Sequence, residues 1–228
     1  MKAIVTGGNR GIGLAVARQL VAAGFEVHSL ARTGLAEPLA GVTAWQADLA
    51  DYEATLAIVE RIGAVDVLIN NAGIMQARTP NDYPADAIQN LLQINLITAV
   101  RISALLAARM AAGGGGRIVS VASIAGEIGH PDIWYGISKA GLVNAMRALA
   151  RQYGACGVLA NAVAPGPVET DMMHSIPEER KARLKAGTIT QRFCQADEVA
   201  DVVCWLATAA PAYLNGEVVD LNNGMNYR

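Results

Sequence analysis

Cysteine is scarce in this chain of 228 residues: Cys156, Cys194 and Cys204 are an odd number, widely spaced, with no Cys-x-x-Cys pair. That excludes a disulfide framework and a thiolate zinc site, and free thiols fit a reducing, cytoplasmic setting. No basic block occurs and the formal net charge is −2, which argues against nucleic acid as the main partner. No stretch of about 20 apolar residues runs free of charge, so no membrane span is expected. The apolar run after Met1-Lys2 is too short for a signal peptide. His28, His130 and His174 have no acid or cysteine at ligand spacing, so no metal is expected. Neither an internal repeat nor a Pro/Ser-rich linker divides the chain, and Gly113 to Gly116 reads as a flexible helix-to-strand connection.

What is present is an apolar alternation of strands and helices. Apolar residues make up 53% of the chain, enough for a sizeable core. Strand-length runs are Ala3 to Thr6, Glu26 to Leu30, Val42 to Gln46, Val65 to Asn70, Arg117 to Ala122, Val158 to Val163 and Glu217 to Leu221. Helical patterns lie between them at Gly11 to Ala23, Tyr52 to Arg61, Ala85 to Ala112, Ile133 to Tyr153 and Ala196 to Ala207. Strict alternation predicts parallel βαβ units with right-handed crossovers, and strands this apolar predict a sheet covered on both faces. The expected architecture is one doubly wound α/β domain over residues 1–228. Residues 165–190 break the rhythm with Pro165, Pro167, Pro177, Met172-Met173 and the charged cluster Glu178-Glu179-Arg180-Lys181. They follow the sixth strand, at the edge where open sheets bind ligands, and are expected to form a substrate lid or a surface excursion with a short solvated helix.

Two patterns carry chemistry. The turn Thr6-Gly7-Gly8-Asn9-Arg10-Gly11-Ile12-Gly13 joins the first strand to the first helix, where glycines let backbone approach a pyrophosphate and the helix start offers free N–H groups. The second strand ends Leu30-Ala31-Arg32-Thr33 with no acid to hold a ribose 2′-hydroxyl. Arg10 and Arg32 are instead expected to clamp a 2′-phosphate, favouring NADP(H) over NAD(H). The second pattern is Tyr135 and Lys139, four apart and so on one helix face, with Ser123 upstream. A fixed cation beside a phenol favours phenolate and lowers its pKa, so Tyr135 is expected to exchange a proton with a substrate oxygen held by Ser123. Ser120 and Ser138 lie close enough to be rivals of Ser123.

In these motifs the chain resembles the short-chain dehydrogenase/reductases of the Thr-Gly-x-x-x-Gly-x-Gly and Tyr-x-x-x-Lys branch. The resemblance runs over essentially the whole chain and includes Asp48-Leu49, Asn70-Asn71-Ala72-Gly73, Asn95, Ser123, and Pro165-Gly166 followed by Thr170. It implies a Rossmann fold with a seven-stranded parallel sheet and a catalytic set of Asn95, Ser123, Tyr135 and Lys139. Tyr135 would be general acid in reduction, Lys139 would bind the nicotinamide ribose, and Asn95 would help hold a relay water. Cofactor contacts would come from Gly7, Asn9, Arg10, Gly11, Ile12, Gly13, Arg32, Asp48, Leu49, Asn71, Ala72, Gly73, Tyr135, Lys139, Pro165, Gly166, Val168 and Thr170. The implied activity is a ketone–alcohol interconversion on a small carbonyl substrate, 3-oxoacyl thioester reductase-like or broader. Alternatives are a non-catalytic NADP(H)-binding sensor, an NAD-dependent alcohol dehydrogenase, and a lyase or epimerase holding its nicotinamide tightly. A homotetramer or homodimer packed through the helices near Ala85 and Tyr135 is implied too.

The chain also departs from the family. Between Arg32 and Trp45 there is hardly room for a helix, so the adenine edge should be open. The interval from Ser123 to Tyr135 is one residue shorter than the pattern. Expected pocket residues are Ala125, Ile128, Pro131, Trp134, Pro167, Met172 and Met173, mostly apolar and with no arginine placed to clamp a carboxylate.

Overall fold

The computed structural model describes residues 1–227, except for the side chains of His174 and Ser175, so the expectation for His174 lies outside the described residues. Seven strands form one parallel sheet: β1 (Lys2–Thr6), β2 (Glu26–Ala31), β3 (Val42–Gln46), β4 (Val67–Asn70), β5 (Gly116–Val121), β6 (Val158–Pro165) and β7 (Val218–Leu221). Their order is β3-β2-β1-β4-β5-β6-β7. Strand order therefore reverses between β1 and β4, and the crevice outside those strand ends is where doubly wound sheets take ligands.

The helices are α1 (Gly11–Ala22), α2 (Tyr52–Ile62), α3 (Ala85–Leu92), α4 (Thr98–Ala112), α5 (Ile133–Tyr153), α6 (Glu178–Ala186) and α7 (Ala196–Thr208). Neighbouring strand residues face opposite ways, and β1 feeds both cores accordingly. Val5 packs with Val16, Leu20, Val203 and Leu206 on the α1/α7 side, while Ile4 packs with Val59, Ile102, Leu106 and Met146 on the side of α2, α4 and α5. Burying each such aliphatic side chain contributes about 1.5–3 kcal/mol.

The expected boundaries hold to within a few residues, with one informative difference. The predicted helix from Ala85 to Ala112 is interrupted by a π-helical turn, Gln93–Ile97, which carries Asn95. One extra residue per turn is a local irregularity that sequence periodicity does not reveal, and such turns recur at functional sites. The stretch 85–112 is also long and apolar enough to span a membrane, but half of its apolar window is buried, with Leu91, Ile102 and Leu106 in the core. As expected, no helix forms between β2 and β3, and β3 is left largely exposed at the edge of the sheet.

Candidate active site

The glycine turn is built for close approach. Gly7 and Gly11 adopt φ of +67° and +50°, left-handed values that favour glycine. A Cβ on Gly13 would lie 2.1 Å from the Gly7 carbonyl oxygen, so Gly13 lets α1 start directly beneath the turn. Gly13 is thus a packing residue and does not line the cavity. A Cβ on Gly8 would meet Ser29 Oγ at 2.7 Å, a constraint the motif reading passed over. Asn71 locks the turn from β4: its Nδ2 donates to the carbonyls of Thr6 and Gly7 at 3.0 and 3.2 Å, while Thr6 Oγ1 accepts from the N–H groups of Asn71 and Ala72. Asn70 points the other way, donating to Ser103 and Ser120 in the core. That bond places the rival Ser120 inside the fold, fully buried.

At the end of β2, Arg32 is exposed and forms no ion pair among the described residues. Arg10 differs from expectation. Its Nη1 bridges to Asp171 Oδ2 at 2.9 Å, joining the start of α1 to the loop after β6. A guanidinium already holding a carboxylate is a weaker phosphate clamp, so the two arginines are not equivalent. Asn9 is fixed by a 2.8 Å bond to Thr33 Oγ1.

Asn95 is fully buried and grips one residue: Oδ1 accepts from Ile74 N–H at 2.8 Å, and Nδ2 donates to the Ile74 carbonyl at 2.9 Å and to Ser138 Oγ at 3.2 Å. The amide holds the segment after β4 beside Lys139, where a Cβ on Gly73 would meet Lys139 Nζ at 3.4 Å. These bonds use both N–H donors and one lone pair of the acceptor, so the side chain acts first as a clamp. Ser138, the second rival serine, is engaged with Asn95 and with the Tyr135 carbonyl.

Ser123 and Tyr135 meet. Ser123 Oγ accepts from Ala125 N–H at 3.1 Å, and its hydroxyl faces the Tyr135 phenol closely enough to favour the phenolate. Lys139 Nζ lies 5.7 Å from the Tyr135 ring centroid and donates to the Val121 carbonyl at 2.7 Å. The electrostatics correct one expectation. Burial raises the Tyr135 pKa above its ordinary value, opposed by the Ser123 hydroxyl, while the Lys139 ammonium is not among the dominant influences. Lys139 is itself desolvated, which brings its pKa down to about 8. The physical reason is placement: its ammonium is spent on a backbone carbonyl near the ring and makes no bond to the hydroxyl.

These groups line one cavity of about 890 Å³, which runs from the glycine turn past β4 and β5 to the loop after β6. Of the expected cofactor contacts, Gly7, Asn9, Arg10, Gly11, Ile12, Arg32, Asp48, Leu49, Asn71, Ala72, Gly73, Tyr135, Lys139, Pro165, Gly166, Val168 and Thr170 all face it. So do Ala125, Ile128, Pro131, Pro167, Met172 and Met173. Trp134 does not, because one helical residue from Tyr135 turns a side chain by about 100°. The cavity also has an arginine at its substrate end: Arg180 lines it, with His130, Ile176, Leu184 and Met225. That overturns the expectation of no arginine there. The missed signal was helical spacing, since Arg180 and Leu184 are four apart on α6 and share a face.

The cradle fits a dinucleotide. Backbone at positive φ, a close-packed helix start and a long crevice at the strand-order switch are what a pyrophosphate site requires. The sequence model of the short chain dehydrogenase family matches residues 1–181. This chain belongs to the short-chain dehydrogenase family. It is 32% identical to the 3-oxoacyl-[acyl-carrier-protein] reductase FabG of Salmonella typhimurium, over 98% of this chain and 96% of that protein. With the 3-oxoacyl-[acyl-carrier-protein] reductase MabA of Mycobacterium tuberculosis it shares 33% identity, over 97% and 91% of the two chains. Among solved structures, one described as an NAD(P)-dependent gluconate 5-dehydrogenase of Beutenbergia cavernae, with NADP bound at low occupancy, superposes with a TM-score of 0.90 at 32% identity, covering 98% of this chain and 96% of that one. A short-chain dehydrogenase is an oxidoreductase that uses a nicotinamide dinucleotide, and in this chain Ser123, Tyr135 and Lys139 line one cavity with Gly7 and Gly11 of the glycine turn, while Asn95 and Gly13 do not line it.

Proposed function

We propose that the protein is an NADP(H)-dependent reductase that converts a ketone to a secondary alcohol, with 3-oxoacyl thioesters as the leading substrate class. The observation that carries this reading is that Ser123, Tyr135 and Lys139 line the same cavity as the glycine turn. When bound, the nicotinamide supplies the hydride. Ser123 and Tyr135 present two O–H groups at one point, so a carbonyl oxygen seated there accepts from both as negative charge develops on it. Tyr135 keeps its proton at neutral pH, the state a general acid needs, and passes it to that oxygen. Lys139, close to the ring and mostly charged at pH 7, offsets the phenolate left behind.

Preference for the 2′-phosphate rests on Arg32, an exposed guanidinium without an ion pair among the described residues, on a β2 end that carries no acid. The names of the full-length relatives support the oxoacyl class. The loop after β6, with Met173 and Ile176 packed on Met75 and Leu184, serves as the substrate lid. Exposed Ile97, Ile133 and Ile137, at the starts of α4 and α5, fit a homodimer or homotetramer packed through those helices.

The test is the loss of NADPH absorbance against 3-oxoacyl thioesters, neutral ketones, quinones and keto sugars, with NADH in parallel. Turnover on thioesters with NADPH supports the reading. Tight NADPH binding with no carbonyl reduced would favour the non-catalytic alternative.

A further inference from the structure

The cations of α6 are not alike. Lys181 pairs with Glu178 at 2.6 Å, Arg183 with Glu179 at 2.8 Å, and Lys185 sits 4.8 Å over the Phe193 ring. None of those three lines the cavity. Arg180 does, and it makes no ion pair or hydrogen bond among the described residues. It is half-buried, and its cavity neighbours Met173, Ile176, Leu184 and Met225 are apolar. A guanidinium taken partly out of water without a counter-charge is costly, and a ligand anion removes that cost.

His130 lines the same cavity. Its ring packs at 5.5 Å from that of Tyr135, and its Nδ1 faces both the N–H and the carbonyl of Asp132, at 3.1 and 3.2 Å. Burial lowers the His130 pKa, with the charge of Arg180 acting in the same direction, so the ring is neutral at pH 7.

We propose that Arg180 forms an anion subsite at the substrate end of the cavity, so that the substrate carries a carboxylate or phosphate in addition to the carbonyl held by Ser123 and Tyr135. The inference rests on the reductase reading for the position of the carbonyl. Two sources share this chemistry: a carboxylate on the oxo compound itself, and a phosphate on the carrier arm of a thioester. An arginine fork binds either bidentately.

The experiment compares 3-oxobutanoate, 4-oxopentanoate and 5-oxohexanoate with their methyl esters, and with acetoacetyl-coenzyme A, in wild type, Arg180→Met and Arg180→Lys. Wild type is expected to prefer at least one anion over its neutral partner by about tenfold or more in kcat/KM, a ratio that falls to about one in Arg180→Met and partly survives in Arg180→Lys. Preference for the free acids assigns the carboxylate, and preference confined to the thioester assigns the phosphate. Calorimetric titration of the same acids and of inorganic phosphate, into the protein alone and with NADP+, reads the subsite without turnover. Arg180-dependent binding with no carbonyl reduced would keep the subsite and sink the reductase reading. An acid-to-ester ratio and an acetoacetyl-coenzyme A kcat/KM both unchanged by Arg180→Met, with acid and phosphate binding that ignore the substitution, overturn the subsite itself.

Discussion

The hydroxyl of Tyr83 donates a 2.6 Å hydrogen bond to Oδ1 of Asp132, and that oxygen also accepts from the backbone N–H of Tyr135 at 3.1 Å. The other carboxylate oxygen accepts from the N–H groups of Gln76 and Ala77, at 3.1 and 3.0 Å. One buried carboxylate thus caps α5 and holds the segment after β4 against the turn that carries the Tyr135 phenol. Ala77 sits at φ +55°, a left-handed conformation for a residue with a Cβ, and its bond to Asp132 helps keep it there.

Asp132→Ala is therefore expected to destabilise the fold by roughly 2–4 kcal/mol, combining a lost helix cap with stranded N–H donors. Tyr83→Phe should cost about 1 kcal/mol, the value of a single hydrogen bond. Urea unfolding checks both, and kcat should fall with Asp132→Ala because the phenol loses its anchor. Stability within about 0.5 kcal/mol of wild type would mean that water replaces the carboxylate.

Cofactor preference should depend unequally on the two arginines. Arg32→Asp is expected to lower the NADPH-to-NADH ratio of kcat/KM by roughly two orders of magnitude, since it removes a charge-assisted bond and adds repulsion. Arg10→Ala should move the ratio only about threefold, because its guanidinium is shared with Asp171. Steady-state kinetics with both cofactors decide it, and equal effects would show that the bridge to Asp171 opens when cofactor binds.

Lys139 should leave a mark on stability. Its pKa falls from 10.5 in the unfolded chain to about 8 on burial, so between those values only the unfolded state holds the proton. Stability then rises with pH across that window, by up to about 1.4 kcal/mol per pH unit from this residue, and the contribution vanishes below it. Raised pKa values at Cys194 and Cys204, about 11 and 12, act oppositely at the alkaline end. The difference between wild type and Lys139→Met isolates the lysine. Unfolding free energies from pH 8 to 9.5 should climb more steeply in wild type, and parallel curves would contradict its desolvation.

Strand runs, the glycine turn and the Tyr135–Lys139 spacing were legible because local chemistry dictates them: period, φ and helical face are properties of neighbouring residues. What was not legible depends on contacts far apart in sequence. The bridge from Arg10 to Asp171 spans most of the chain, and nothing near either residue announces it. The π-turn carries Asn95, whose partner Ile74 lies on a different segment, and the desolvation of Tyr135 and Lys139 comes from burial in the folded chain. Arg180 was hidden in a charged cluster whose neighbours pair with each other, so only the direction of each side chain separates a solvated helix face from a ligand site.

The central claim, that Tyr135 delivers the proton in carbonyl reduction, is tested most directly by single-turnover oxidation of NADPH with a 3-oxoacyl thioester, in wild type and Tyr135→Phe, alongside NADPH affinity. The expected result is a rate lower by about 10²–10⁴-fold in the variant with cofactor affinity nearly intact. A variant that turns over at the wild-type rate would contradict the assignment.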